Sequence, residues 1–200
     1  MKRLLLVALA VMVAVGVWSA AYGNEPSRVI SGTAAGVTKV VGPSEAVYLY
    51  DFSTPPDGVN DYEIRTRLQV TKLTGVIEGM TSGPFTSTLD IPTNISRYSM
   101  VYTFWGRVGG SEPGVMTIIG TGFADRSKYY EPPVGPKPGG VVTLVRYTVV
   151  EGSGTGGLEG ISGHGTVRGE GPSPAGPFVG TANWEFRFSN ASGTAFLASP

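Results

Sequence analysis

Hydrophobic and polar residues alternate along much of this chain with a period of two. Between Asp61 and Val70, Tyr62, Ile64, Leu68 and Val70 fall on one side, and Glu63, Arg65, Arg67 and Gln69 fall on the other. Trp184, Phe186 and Phe188 alternate in the same way with Asn183, Glu185 and Arg187. Period two belongs to an extended strand with one dry and one wet face, the habit of antiparallel sheets. Beyond the first residues no segment keeps a helical period for three turns. The pattern predicts strands over 28–34, 46–52, 62–76, 85–91, 98–108, 115–124, 141–150, 161–169 and 179–188. Segment 141–150 is apolar on both faces: Val142, Leu144 and Val150 lie on one, Val141, Val145, Tyr147 and Val149 on the other. One face can fill an interior; the other needs a terminal segment or another subunit to cover it.

The most telling stretch lies between two of these strands, GSGTGGLEGISGHGT over 152–166. Glycine costs entropy when ordered, so clustering it serves tight turns, positive φ or close backbone approach. The stretch is expected to be structural. Leu158 and Ile161 should anchor it in the core, with positive φ at one or more of Gly154, Gly156 and Gly160. A phosphate-binding loop is not expected, because that needs a lysine and a following helix, and Gly165-Thr166-Val167 leads into a strand. Pro55-Pro56-Asp57-Gly58 signals another turn. Pro132, Pro133, Pro136 and Pro138 keep 129–140 out of a sheet, since proline donates no amide hydrogen. Residues 171–177 form a second proline-rich connection.

The first 23 residues read as an address. Lys2 and Arg3 precede an apolar run over 4–17, and Ala21 and Gly23 suit cleavage before Asn24. Residues 24–200 then form one β domain, exported to the periplasm or outside the cell, with no stable membrane span after cleavage. Of 15 basic residues Lys2 and Arg3 leave with the leader, so 13 remain against 15 acidic ones. Without a basic run, nucleic acid is not an expected partner. Thirty glycines and 15 prolines accompany a hydrophobic fraction of 41%, which favours a turn-rich all-β domain over a disordered chain. There is no cysteine, which excludes disulfides, a thiol nucleophile and thiolate-bound zinc.

The segments YSMVYTFWG (98–106), Gly120-Thr121-Gly122 and VVTLVRYTVVEGSGTGGLEGISGHGTV (141–167) resemble small β-barrels of the allene oxide cyclase superfamily. Within it the likeness is to an uncharacterised bacterial group related in fold to plant dirigent proteins. Its Gly-Ser-Gly-Thr-Gly-x-Leu-x-Gly-x-x-Gly turn matches Gly152, Ser153, Gly154, Thr155, Gly156, Leu158, Gly160 and Gly163, with Gly157 as one extra residue. The resemblance implies a single antiparallel β-barrel of about eight strands with a tapered, largely apolar cavity, in a family whose members are often trimers. Barrels of that size are filled by side chains or hold one small ligand. The family's catalytic residues do not map onto this chain, and catalytic residues stay unassigned.

Candidate ligand-binding residues follow from the faces. Tyr98, Met100, Tyr102 and Phe104 share a side and are read as core or as a cavity wall, with Trp105 on the other side. Glu63 and Arg65, joined by Arg67, are expected on the solvated outer face, as charges are rarely buried. Turned inward, they would orient a polar substrate or act as an acid–base pair. His164, the only histidine, is expected exposed in the glycine-rich turn, and a lone imidazole makes a poor metal site. No metal and no cofactor are expected. The reading is a binding barrel for a small apolar or amphipathic ligand; a metal-independent cyclase or isomerase and an oligomeric interaction protein are the alternatives.

Overall fold

The computed structural model describes residues 27–50, 59–126, 130–131, 135–136, 141–171 and 178–189. The leader over 1–23 and the turn signal over 55–58 lie outside them. The strands are β1 (Arg28–Tyr50), β2 (Asn60–Gly75), β3 (Ile77–Asp90), β4 (Ile95–Val108), β5 (Gly114–Asp125), β6 (Tyr130–Glu131), β7 (Gly135–Pro136), β8 (Val141–Val149), β9 (Thr155–Gly156), β10 (Ile161–Gly171) and β11 (Phe178–Phe188). All pairings are antiparallel, and there is no helix among the described residues. Nine strands form one sheet in the order β4-β3-β2-β1-β11-β10-β8-β5-β9, and β4 also pairs with β5. That last ladder closes the eight long strands into a ring and leaves β9 as a short flank on β5. Closure removes the exposed long edges that an open sheet would offer.

Two boundaries differ from the pattern-based reading. The strand expected over 28–34 and the described part, 46–50, of the one expected over 46–52 belong to one strand of 23 residues. Its pairing with β2 shifts between Val41 and Glu45, where Gly42 has a φ of 79°. A bulge lets the chain continue past a Gly-Pro pair that reads as a stop. β3 begins at Ile77 and runs through Pro84. Its ladder to β4 lapses between the pairs Ser82–Thr103 and Phe85–Met100, as expected where proline has no N–H to give. In the proline-rich connection, β6 and β7 form a two-residue ladder separate from the ring.

The antiparallel order sorts the connections into two ends. The β2–β3, β4–β5 and β8–β10 connections lie at one end, which is closed. There Ile77, Phe104, Val108, Met116, Leu158 and Ile161 are almost wholly buried in one cluster. The glycine-rich connection builds part of this floor. Thr155 and Gly156 pair with Val115 and Gly114, and the Ser153 hydroxyl accepts the Thr117 N–H at 3.0 Å and donates to the Val150 carbonyl at 2.6 Å. Gly156 and Gly160 have φ of 61° and 70°, a region that favours glycine, which lets the chain turn twice around Leu158. The β1–β2, β3–β4, β5–β8 and β10–β11 connections leave from the opposite end, the mouth.

Candidate functional site

The register of β2 decides what faces the interior. Leu73 is in the core and Thr71 lines an internal cavity. Alternation then puts Gln69, Arg67, Arg65 and Glu63 on the same inner face, opposite Gly83, Phe85, Ser87 and Leu89 of β3. This reverses the expected orientation: the charged side of β2 faces in, and Leu68, 44% exposed, faces out. The reason lies at the lower end of the strand, where Leu73 packs into the floor and fixes the parity of every residue above it. The charges are tolerated because they sit at the mouth and interact with one another.

Midway down the ring is a cavity of about 70 Å³, lined among others by Thr38, Thr71, Tyr102, Tyr147, Ala182 and Trp184. Glycines on neighbouring strands make room for its large rings. A Cβ on Gly165 would meet the Trp184 indole, and one on Gly120 would meet the Tyr147 ring. The rings of Tyr147 and Trp184 stack at 5.6 Å, and those of Trp184 and Phe186 at 5.1 Å. The polar groups here are specific. The Tyr102 hydroxyl donates to Gln69 Oε1 at 2.6 Å, and Thr38 and Thr71 share a hydroxyl hydrogen bond at 2.8 Å. The buried Trp184 Nε1–H has no hydrogen-bond partner among the described residues. Burial pushes the Tyr102 and Tyr147 phenols well above their ordinary range, so both stay protonated near neutral pH.

Above the cavity the interior becomes charged. The Arg67 guanidinium lies 5.3 Å from the centre of the Phe85 ring, which in turn packs on Tyr98 at 4.8 Å. Arg65 Nε donates to Glu63 Oε1 at 2.7 Å. Arg126, just beyond β5, is 9% exposed and lies within electrostatic reach of both Glu63 and Arg67. The Arg65 hydrogen bond holds Glu63 below the usual carboxylate range against the opposing effect of burial; the Arg65 charge, a Tyr48 hydrogen bond and the Arg126 charge add to it. Arg67 is pulled down by burial first, then by its like-charged neighbours Arg126 and Arg65. A carboxylate held ionised by an arginine is a poor proton donor near neutrality, and phenols pushed upward are poor bases. The arrangement is suited to holding a molecule by hydrogen bonds and charge.

All six candidate residues from the sequence belong to the inner face, at four levels. Glu63 and Arg65 sit at the mouth, Tyr98 and Met100 pack beneath it around Phe85, and Tyr102 lines the cavity. Phe104 is part of the floor and fully buried, which removes it from a binding wall. Trp105 faces out, as expected, and so do Glu185 and Arg187, which pair at 3.0 Å. His164 is exposed but lies within β10, opposite Glu185, not in the turn. Sequence reasoning does not single out Tyr147, Trp184, Gln69 or Arg126 for the site. The signal for the first two is the period-two glycine pattern at 120/122 and 163/165, which leaves room for rings from neighbouring strands. Among the described residues no group of three His, Cys, Asp or Glu is placed to hold a metal. No helix there is long and apolar enough to cross a membrane.

No protein-family model matches this chain, and no curated protein matches it. Among solved structures it is similar to a protein of unknown function from the DUF3224 family of Shewanella oneidensis. The identity is 15% and the TM-score 0.49, over 80% of this chain and 100% of that one.

Proposed function

We propose that the ring is a small β-barrel of the allene oxide cyclase-like kind that serves, after export, as a non-catalytic binding protein for a small amphipathic molecule. The observation that supports this most is the graded interior: an apolar floor, a cavity lined by Tyr102, Tyr147 and Trp184, and a charged mouth. The cavity volume limits the ligand. At about 70 Å³ it takes a compact substituent and falls well short of the ~300 Å³ at which drug-sized pockets begin. The molecule therefore inserts one small end and leaves the other among the polar groups above. Glu63 and Arg65 face inward as a cyclase-type reading requires, but a carboxylate held ionised by its arginine partner suits binding better than proton transfer.

The test uses a mature chain carrying Trp105→Phe, which leaves Trp184 as the single tryptophan of 24–200. Titration with 3-phenylpropanamide is expected to change Trp184 emission saturably. Ala182→Leu, which fills the cavity, should abolish the change. An unsaturable response, or one unaffected by filling, contradicts the reading.

A second reading concerns the outer face. Met80, Val101, Trp105, Ile119 and Phe123 are all exposed on β3, β4 and β5, where Met80 pairs with Trp105 and Val101 with Ile119. This stripe is the face we propose to be buried between copies of the chain, and Phe123 pairs with Leu144 of the two-sided strand β8. Sedimentation of the mature chain at micromolar concentration checks it: an oligomer that Val101→Glu dissociates is expected, and a monomer counts against it.

A further inference from the structure

We infer that the outer face of β4, β5 and β8 carries a second binding site, a groove for a small aromatic anion that rests its ring on Phe123 and Leu144 and its carboxylate on Arg97 and Arg146. The groove is separate from the interior: its lining shares no residue with the cavity, so the inference goes beyond the binding reading above and does not depend on it. The strand registers assemble it. Arg97 of β4 pairs with Phe123 of β5, and Phe123 with Leu144 of β8, which makes one row across the three strands. In the next row Ser99 pairs with Thr121, and Thr121 with Arg146. Ser96, Ala124 and Val145 are buried in the interior, so alternation turns their neighbours Arg97, Phe123, Leu144 and Arg146 outward. The two arginines therefore stand on either side of β5, about 10 Å apart across the strands and offset by one step along them. Both line the same groove of about 470 Å³, together with Thr121, Phe123 and Leu144. That volume falls within the ~300–1,000 Å³ of small-molecule sites.

The chemistry of the lining selects the ligand. Arg97 and Arg146 are exposed, and neither makes a hydrogen bond or ion pair with a described residue. β4 and β8 contain no acidic residue, and Asp125, the one acid of β5, has an interaction of its own. On β10, Arg168 stands opposite Leu144 and Glu170 opposite Val142, one step nearer the mouth. Phe123, 47% exposed, presents an apolar ring between the two cations. A ring bearing a carboxylate answers both features: its apolar area leaves water, and its oxygens accept charge-assisted hydrogen bonds from the guanidiniums. Phe123 is also the end of the outer stripe that a second copy would cover. A twofold contact there brings the arginines of both copies together, and like charges repel, so a small anion suits the groove better.

The experiment titrates the mature chain with 2-naphthoate, 2-naphthamide and inorganic phosphate by calorimetry. One saturable site for naphthoate is expected, with the amide about tenfold weaker and phosphate alone weaker still. Arg97→Gln and Arg146→Gln should each remove most of the acid's advantage, and Phe123→Ser should weaken acid and amide together. All three residues are exposed, so the fold is expected to survive the substitutions. Ala182→Leu, which fills the interior cavity, should leave naphthoate binding unchanged. Absence of saturable naphthoate binding, equal affinity for acid and amide, or an acid preference that survives both arginine substitutions each overturns the inference. Loss of naphthoate binding in Ala182→Leu places the ligand in the interior, which overturns the inference and leaves the cavity reading standing. Phosphate binding as tight as that of naphthoate reduces the groove to a charged patch and overturns it too. Sedimentation of Arg97→Gln completes the test: a mass equal to that of the parent is expected, and dissociation of an oligomer gives the groove to a second copy and overturns the inference.

Discussion

The two ends of the ring are built from the same kind of strand and solve opposite problems. At the floor, Ile77, Phe104, Val108, Met116 and Ile161 pack together as a buried apolar cluster, and the β8–β10 connection adds Leu158 to it. At the mouth, the same strands carry Glu63, Arg65, Arg67 and Ser87 inward. The strands are paired at both ends, with two register shifts between β1 and β2 toward the mouth, so the main difference lies in the side chains. Hydrophobic burial does its work at one end and leaves the other free to carry polar groups that add little to stability. Function is therefore best sought where the chain departs from the simplest way of filling its interior.

If that division is right, substitutions at the two ends should separate stability from binding. Phe104→Ala opens a hole in the floor and should cost about 3–5 kcal/mol in urea denaturation. A loss under about 1 kcal/mol would mean that the floor is not the stabilising half. Next comes the glycine connection. Gly160→Val forces a branched side chain into a φ of 70° and should cost about 1–3 kcal/mol, with ligand affinity of the folded protein nearly unchanged. Normal melting with binding abolished would move this turn into the site.

The smallest effect is expected at the mouth and depends on pH. Arg65 holds Glu63 below the ordinary carboxylate value of 4.5. Its contribution is thus fully present above that value and is lost as pH falls through the lower, folded-state value. The pair is only partly buried, so Glu63→Gln should cost no more than about 1 kcal/mol near neutrality. The gap between variant and parent should close on acidification. A gap that widens as pH falls would show that the carboxylate is destabilised in the fold, contrary to the geometry.

How much of the molecule is legible from the residues depends on the end. The floor is readable: Trp184, Phe186 and Phe188 alternate cleanly, and Leu158 and Ile161 stand alone among glycines that leave them no role except packing. All five are buried, and Gly156 and Gly160 have the positive φ expected of the group. The mouth is not readable, because period two tells which residues share a face but not which face is the inner one. On β2 the ordinary preference for buried apolar side chains points the wrong way; Leu73 and its pairing with β3 override it. Arg126 lies beyond reach of any local pattern, since its charge acts on Arg67 and Glu63 only through the fold. The pattern divides β1 in two, whereas the strand continues across a bulge between Val41 and Glu45.

The central claim is that the charged face of β2 is the inner one, and the absence of cysteine makes it directly testable. Leu68→Cys and Gln69→Cys, prepared singly, each give a protein with one thiol on adjacent residues of the same strand. Their rates of modification by a bulky maleimide under native conditions report which face is outside. The Leu68→Cys thiol is expected to react at the rate of a surface thiol, and the Gln69→Cys thiol roughly tenfold more slowly. The reverse order would place Glu63, Arg65 and Arg67 on the outer surface and contradict the account.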